Sequence, residues 1–384
     1  MRARTLIAIA TVVSGVLSLP GSAHATGLGG LALPLPLAAP ASHPTVAAPA
    51  APSLEGVPRF DHVFTIVLEN ENFDTSWNTP GPGGPTYLQQ LKAQGSFADE
   101  YFGVSHVSAG NYIAMTSGQL PNPLFDTDCM ISWGLCETTE KLTPDGGRSI
   151  ADQVEGSGQT WKAYMDGMAV PCQHPALTVL QDPYQTGYAT RHDPFVYYPP
   201  IAENQARCDS HVVNYSQLDN DLAMAATTPN YVFITPDTCH DGHDTPCAPP
   251  DTGPGGLASA NAWLQTEVPK ILGSTAFTSE RSLLLITFDE NGISDIPGCC
   301  GALADVNQLV AGGPATVSGV AALGGRIGLL AIGSSGAGVQ AGKVVHSPYD
   351  HWSYLRTVED ALGISEYLNI AGLPITSPMA DLLT

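Results

Sequence analysis

Val63-Phe64-Thr65-Ile66-Val67-Leu68-Glu69-Asn70-Glu71-Asn72-Phe73 is the stretch from which the rest of the chain is read. Its first six residues are apolar or β-branched, the pattern of a strand buried on both faces. Strands of that kind belong to open α/β sheets covered by helices. The run stops abruptly at Glu69-Asn70, a carboxylate beside an amide carbonyl. In open α/β sheets the carboxyl ends of strands are where ligands and reactive groups collect.

Three later segments repeat the design, an apolar strand followed by polar, ionisable residues. Tyr231 to Thr235 is a strand leading into Pro236-Asp237-Thr238-Cys239-His240-Asp241-Gly242-His243-Asp244. Three aspartates interleaved with two histidines point to a metal or phosphate role rather than a solvated loop. A calcium loop does not fit, because Cys239 and Ala248 stand where oxygen ligands belong. Ser282 to Thr287 leads into Phe288-Asp289-Glu290-Asn291-Gly292. Adjacent carboxylates repel, so either a cation relieves them or they lie solvated at a strand-to-loop junction. Ile327 to Ile332 is followed by Tyr349-Asp350-His351, which opens a helix ending at Gly363. Ser105 to Gly118 reads as a small turn opening into an apolar helix near Asn111. The Ser108 hydroxyl there is either a helix cap or a group in the positive field of the helix start, facing an anion.

The remaining elements are a helix over Tyr87 to Gln94, a short strand over Phe97 to Phe102, and a helix and strand within 148–170. Asp219 to Thr227 and Ala258 to Leu272 read as helices, and the Gly-rich 292–323 as a surface excursion.

The chain has 384 residues, 43% of them hydrophobic, ample for a large core. Acidic residues number 36 against 14 basic, a net charge of −22. That balance argues against nucleic acid and anionic membrane surfaces as partners, since both need Lys and Arg. A phosphate-bearing substrate would need local compensation, for which a bound cation is the simplest source. Arg2 and Arg4, the apolar Leu6 to Leu17, and Ala23-His24-Ala25 have the order of an export signal cleaved near Ala25. Residues 26–58 have linker composition, and the folded domain is expected over 59–384. The expected product is secreted, monomeric and without a transmembrane segment. Eight cysteines in an exported chain suggest disulfides. Cys129–Cys136, Cys239–Cys247 and Cys172–Cys208 are candidate pairs, with adjacent Cys299-Cys300 left over. A zinc ribbon is disfavoured, because no C-x-x-C occurs.

Taken together, the motifs resemble the phosphoesterase family of secreted bacterial acid phosphatases and phospholipases C, within the alkaline-phosphatase-like superfamily. The resemblance rests on Glu69-Asn70, His106-x-Ser108-x-x-Asn111-Tyr112, Arg191-His192-x-Pro194-Phe195, Asp241-Gly242-His243-Asp244, Thr287-Phe288-Asp289-Glu290 and His351-x-x-x-Leu355-x-Thr357-x-Glu359. These lie in the family's order over roughly residues 60–365. Val107 and Gly110 replace two prolines, Gly242 replaces the usual Met, and His240 stands where Asn is common. The resemblance implies a three-layer α/β/α sandwich with a central, mostly parallel sheet. It also implies that Ser108 is a nucleophile passing through a phosphoserine.

On the same resemblance, Glu69, Asn70, Asp289 and Glu290 would hold a divalent metal cation. Asp241, His243 and His351 would form a second metal site or line the leaving oxygen. Asn111 would donate to a phosphoryl oxygen, and His106 and His192 would contact phosphate as cations, favouring an acidic optimum. Oxygen ligands suit calcium, magnesium or manganese, while the histidines would also accept zinc or iron. The expected activity is an acid phosphatase acting on a small-molecule or lipid phosphate ester. The alternatives are a phospholipase C-type phosphodiesterase and an exported metal-binding or adhesive protein. An α/β-hydrolase esterase is disfavoured, since no G-x-S-x-G elbow occurs.

Overall fold

The computed structural model describes residues 53–120, 128–129, 147–174, 186–249, 251–292 and 324–384. The segments expected to be an export signal, most of the linker and the Gly-rich excursion, with Cys136, Cys299 and Cys300, lie outside these residues.

The opening stretch forms β1 (His62–Leu68), with every residue buried. The other strands are β2 (Ser96–Ala98), β3 (Tyr101–Phe102), β4 (Trp161–Met165), β5 (Val212–Asn214), β6 (Tyr231–Thr235), β7 (Ser282–Phe288), β8 (Leu329–Gly333), β9 (Val344–Val345) and β10 (Tyr349–Asp350). Eight of them make one sheet in the order β5-β4-β6-β1-β7-β8-β2-β9, and β10 pairs with β3 separately. Within the large sheet, β8 runs antiparallel to both neighbours and every other pairing is parallel. β1 lies at the centre, between β6 and β7.

Helices cover both faces. Thr65 of β1 shares a hydrogen bond of 2.7 Å with the Tyr354 hydroxyl on one face. Phe64, one residue back and pointing the opposite way, meets Phe277 on the other, with ring centroids 6.3 Å apart. Tyr354 belongs to a helix, His351–Ala361, that packs on the helix Ser108–Ser117. Phe277 belongs to Thr275–Ser279, which packs with Gly256–Leu272. In chain order these are α1 (Ser108–Ser117), α2 (Gly256–Leu272), α3 (Thr275–Ser279) and α4 (His351–Ala361). The layering is the α/β/α arrangement expected, around a mostly parallel sheet.

Four local readings change. The Phe97–Phe102 strand is two strands, because Asp99-Glu100 turns the chain from β8 toward β10. α1 begins at Ser108, three residues before Asn111; Gly110 is a poor helix former and hides that first turn from a propensity reading. Asp219–Thr227 is a short helix, Leu218–Asp221, and a separate 3-10 turn. The packed part also reaches back past Arg59. Val57 is fully buried, and Glu55 accepts from the Arg356 Nε and Nη2 at 2.7 and 2.8 Å.

The disulfides Cys172–Cys208 and Cys239–Cys247 are both present. Cys129 is disulfide-bonded, and the Cys136 proposed as its partner lies outside the described residues. Among the described residues, no helix is long and apolar enough to cross a membrane.

Candidate active site

β6, β1 and β7 end side by side. The register Leu68↔Phe288 places Glu69 next to Asp289. The Glu69 N–H donates to the Asp241 carbonyl at 2.8 Å, which draws in the segment after β6. Asn70 turns the chain with φ +39°, a left-handed conformation that Asn tolerates. Its N–H donates to Asp289 Oδ1 at 3.1 Å and its Nδ2 to Glu290 Oε1 at 2.8 Å. The Glu290 N–H donates to the same Asp289 Oδ1.

Ser108 is the first residue of α1, and its Oγ donates to Glu69 Oε2 at 2.9 Å. One turn on, on the same helix face, the Tyr112 hydroxyl donates to Glu69 Oε1 at 2.6 Å. The turn before Ser108 is held without its two expected prolines. Asn111 Oδ1 accepts from the Val104 and Ser105 N–H groups, and its Nδ2 donates to the Ser105 carbonyl. The fully buried Asn111 amide therefore ties the turn together. Val107 completes the turn at φ 142° and ψ 145°, territory otherwise almost restricted to glycine. Its N–H donates to Glu290 Oε2 at 3.0 Å, and His106 Nδ1 lies 3.0 Å from that oxygen.

His192 lies buried between two carboxylates, its Nε2 3.3 Å from Glu69 Oε1 and its Nδ1 3.4 Å from Asp241 Oδ2. It stacks on Tyr112, with centroids 5.5 Å apart. Burial, then the neighbouring Arg191 charge, push its pKa well below the usual value. Both causes act against the cation expected of His192. His106 moves the other way, raised by its bond to Glu290. His243 sits at the edge, its Nδ1 2.9 Å from Asp244 and its ring 6.4 Å from that of His192. His351 is fully buried, and both of its nitrogens are engaged: Nδ1 with the Tyr101 hydroxyl at 2.8 Å, Nε2 with the Asp289 carbonyl at 2.6 Å. Burial lowers its pKa to about 4, so the ring is neutral.

Burial is the first cause that drives Glu69, Asp241 and Asp289 well above the usual carboxylate range. Asp289 raises Glu69 further, and Glu290 raises Asp289. Asp241 Oδ2, Asp289 Oδ2 and Asn70 Oδ1 are buried with no hydrogen-bond partner. Orphaned acceptors of this kind need a proton or a cation. The donor set is oxygen-rich, and it fits a hard divalent cation. A second grouping, Asp237, Cys239 and His240, offers no thiolate, because Cys239 is oxidised.

Three residues were not singled out from sequence as site residues. Tyr112 and Arg191 lay inside the quoted motifs, and the four-residue step from Ser108 to Tyr112 was the available signal. Asp128 had none. Its Oδ1 accepts from the Ala109 N–H at 3.0 Å, and Arg191 Nε lies 3.7 Å from its Oδ2.

Fold and site together define an α/β protein whose buried acidic residues cluster at the carboxyl ends of parallel strands, beside a serine at a helix start. The chain belongs to the phosphoesterase family, whose model matches residues 83–365. It is 27% identical over 232 residues to a probable acid phosphatase of Kluyveromyces lactis, covering 60% of this chain and 48% of that one. It is 24% identical over 240 residues to an acid phosphatase of Aspergillus fumigatus, covering 62% and 46%. The chain thus spans about half the length of the curated relatives it matches. Among solved structures, a protein of the alkaline phosphatase superfamily from Vibrio parahaemolyticus superposes with a TM-score of 0.48 at 13% identity, covering 84% of this chain and 71% of that one.

Proposed function

We propose that this chain is an exported, metal-dependent phosphoric ester hydrolase of the acid phosphatase type, with Ser108 as its nucleophile. The observation that carries the reading is the Ser108 hydroxyl bonded to Glu69 amid buried carboxyl oxygens that lack partners. Glu69, Asn70, Asp289 and Asp241 are the residues that would hold the cation. A divalent cation there would lower the serine's pKa and offset phosphate charge. Glu290 meets Asn70, Val107 and His106 and so also holds the serine turn against the carboxylates.

In the chain's own steps, the bond to Glu69 fixes Ser108 Oγ and directs its lone pairs away from that carboxylate. Attack forms the Oγ–P bond and breaks the ester P–O bond, and the alcohol leaves with a proton. Water then cleaves Oγ–P, releasing phosphate and restoring the serine. His106, whose pKa the bond to Glu290 raises, supplies positive charge to a phosphoryl oxygen at acidic pH. Arg191 adds a second positive charge. His192, stacked on Tyr112, keeps Glu69 and Asp241 apart. His243 at the edge is assigned to the leaving-group side. The relatives named acid phosphatase support the monoesterase reading, and two disulfides support an oxidising, extracellular location. Residues 1–25 are assigned as the export signal and 59–384 as the catalytic domain, to which the packed stretch from Glu55 belongs, with linker before it.

The test pairs elemental analysis of the purified protein with hydrolysis of p-nitrophenyl phosphate and bis-p-nitrophenyl phosphate. The expected result is a bound divalent metal and turnover of the monoester, lost in Ser108→Ala while the fold is kept. Preference for the diester would move the reading to a phospholipase C-type enzyme. Full activity in Ser108→Ala would remove the serine mechanism.

A further inference from the structure

We propose that Tyr101 and His351 are positioning residues, a relay that fixes the main-chain carbonyl of Asp289 and through it the Asp289–Glu290 pair, with His351 contributing no ligand to the cation. The inference rests on the functional reading above and assigns His351 a different task from the one its motif suggests.

The argument is one of donors and acceptors. A carbonyl oxygen carries no hydrogen, so the 2.6 Å contact to Asp289 requires His351 Nε2 to bear the proton. In a neutral ring Nδ1 is then bare, and the Tyr101 hydroxyl donates to it at 2.8 Å. Tyr101 thereby selects the tautomer that can hold the carbonyl. Neither nitrogen is left to face a metal. Tyr101, His351 and Asp289 are all fully buried, so no water replaces any of the three partners at low cost.

The surrounding backbone is built to hold this contact. The β3–β10 ladder sets Tyr101 opposite Tyr349, two residues before His351. Asp350 then caps α4, its Oδ1 accepting from the Trp352 and Ser353 N–H groups at 2.9 Å. That orients His351, the first helical residue. At the far end, β7 leaves its pairing with β8 at Thr287, so the Asp289 carbonyl has no ladder partner there. His351 takes the place of the missing strand. The Asp289 N–H is held by the Leu68 carbonyl at 2.9 Å, so this residue's backbone is held at both its N–H and its carbonyl. Gly103 makes room for the carbonyl: a Cβ there would stand 2.7 Å from the Asp289 oxygen.

The experiment compares His351→Leu, His351→Gln and Tyr101→Phe in the full chain. Three quantities are read: Mn2+ stoichiometry by calorimetry, kcat and KM on p-nitrophenyl phosphate, and the His351 tautomer by 15N NMR. Wild type should show the Nε2–H tautomer, and Tyr101→Phe should lose its dominance. All three variants should keep the wild-type Mn2+ stoichiometry. His351→Leu should lose roughly 10- to 100-fold in kcat with KM little changed, the range for groups that orient a metal's ligands. His351→Gln, which keeps an N–H donor in reach, should recover most of it. Loss of a bound Mn2+ in His351→Gln would make His351 a ligand and overturn the proposal. So would equal kcat in all variants, or a bare Nε2 in wild type. Should wild type neither bind Mn2+ nor turn over, the functional reading fails, while the tautomer measurement still decides the relay.

Discussion

Glu359→Gln should make the protein more stable at pH 8 while changing little at pH 5. Glu359 lies in α4 and is fully buried. Its Oε1 accepts from the Leu368 N–H at 2.9 Å, and its Oε2 has no partner. Gln153 is its side-chain neighbour. The Gln153 Nε2 is spent on the Glu366 carbonyl, which leaves the Gln153 oxygen also without a partner. The Leu368 and Gln153 contacts favour the charged carboxylate, and burial outweighs them. Burial accordingly pushes the Glu359 pKa from 4.5 up to about 8. An acid bound to its proton more tightly in the folded state stabilises the fold fully below the unfolded pKa. That contribution is lost as pH rises through 4.5 toward 8. Between pH 5 and pH 8 the loss is roughly 3–4 kcal/mol through this group. Glutamine is neutral at every pH and keeps an oxygen for the Leu368 N–H. Urea unfolding followed by tryptophan fluorescence at pH 5, 6, 7 and 8 reads the effect. Asp193 and Glu71, both raised to about 7, slope the same way in wild type and variant, so the difference isolates Glu359. Parallel curves for the two proteins would refute the reasoning, as would a variant less stable than wild type at pH 8.

Val107→Gly should raise the urea midpoint, because relief of about 1–3 kcal/mol of backbone strain exceeds the roughly 1 kcal/mol of added unfolded-state freedom; a lower midpoint would show the turn unstrained. Replacing Cys239 and Cys247 together by Ser should cost about 2–3 kcal/mol and lower kcat, since the bridge closes the loop carrying Asp241 and His243; unchanged kinetics would free that loop from the site. Added Mn2+ should raise the melting temperature more at pH 7 than at pH 5, because Glu69, Asp241 and Asp289 hold protons tightly and the metal must displace them; a pH-independent increment would place the metal elsewhere. His106→Gln should weaken phosphate inhibition most at acidic pH, where the wild-type ring is charged; equal inhibition constants for the two proteins would remove His106 from phosphate contact.

The apolar runs of β1, β6 and β7 were legible because strands covered on both faces leave no polar interruption, and the change to Asp, Glu and Asn marks where cover ends. β5 and β9, at the sheet's edges, are three and two residues long, too short for a period to register. Residue type also does not say which atoms are already committed. Asn111 reads as an amide for a ligand, yet all its bonds go to residues 104 and 105. His351 reads as a metal ligand, yet Tyr101, 250 positions away, uses one nitrogen and Asp289 the other. His192 reads as a cation, yet its burial and then the Arg191 charge hold its pKa down.

The fork between Glu55 and Arg356 has a practical side. A shortened gene opening at Arg59, where linker composition gives way, would strip the acid from a guanidinium anchored in the same helix that begins with His351. Such a product would leave the Arg356 guanidinium to the Ala371 carbonyl and the Tyr367 ring alone, and poor yields from it would report that loss rather than the chain's activity. Cloning from Ser53 keeps the fork intact.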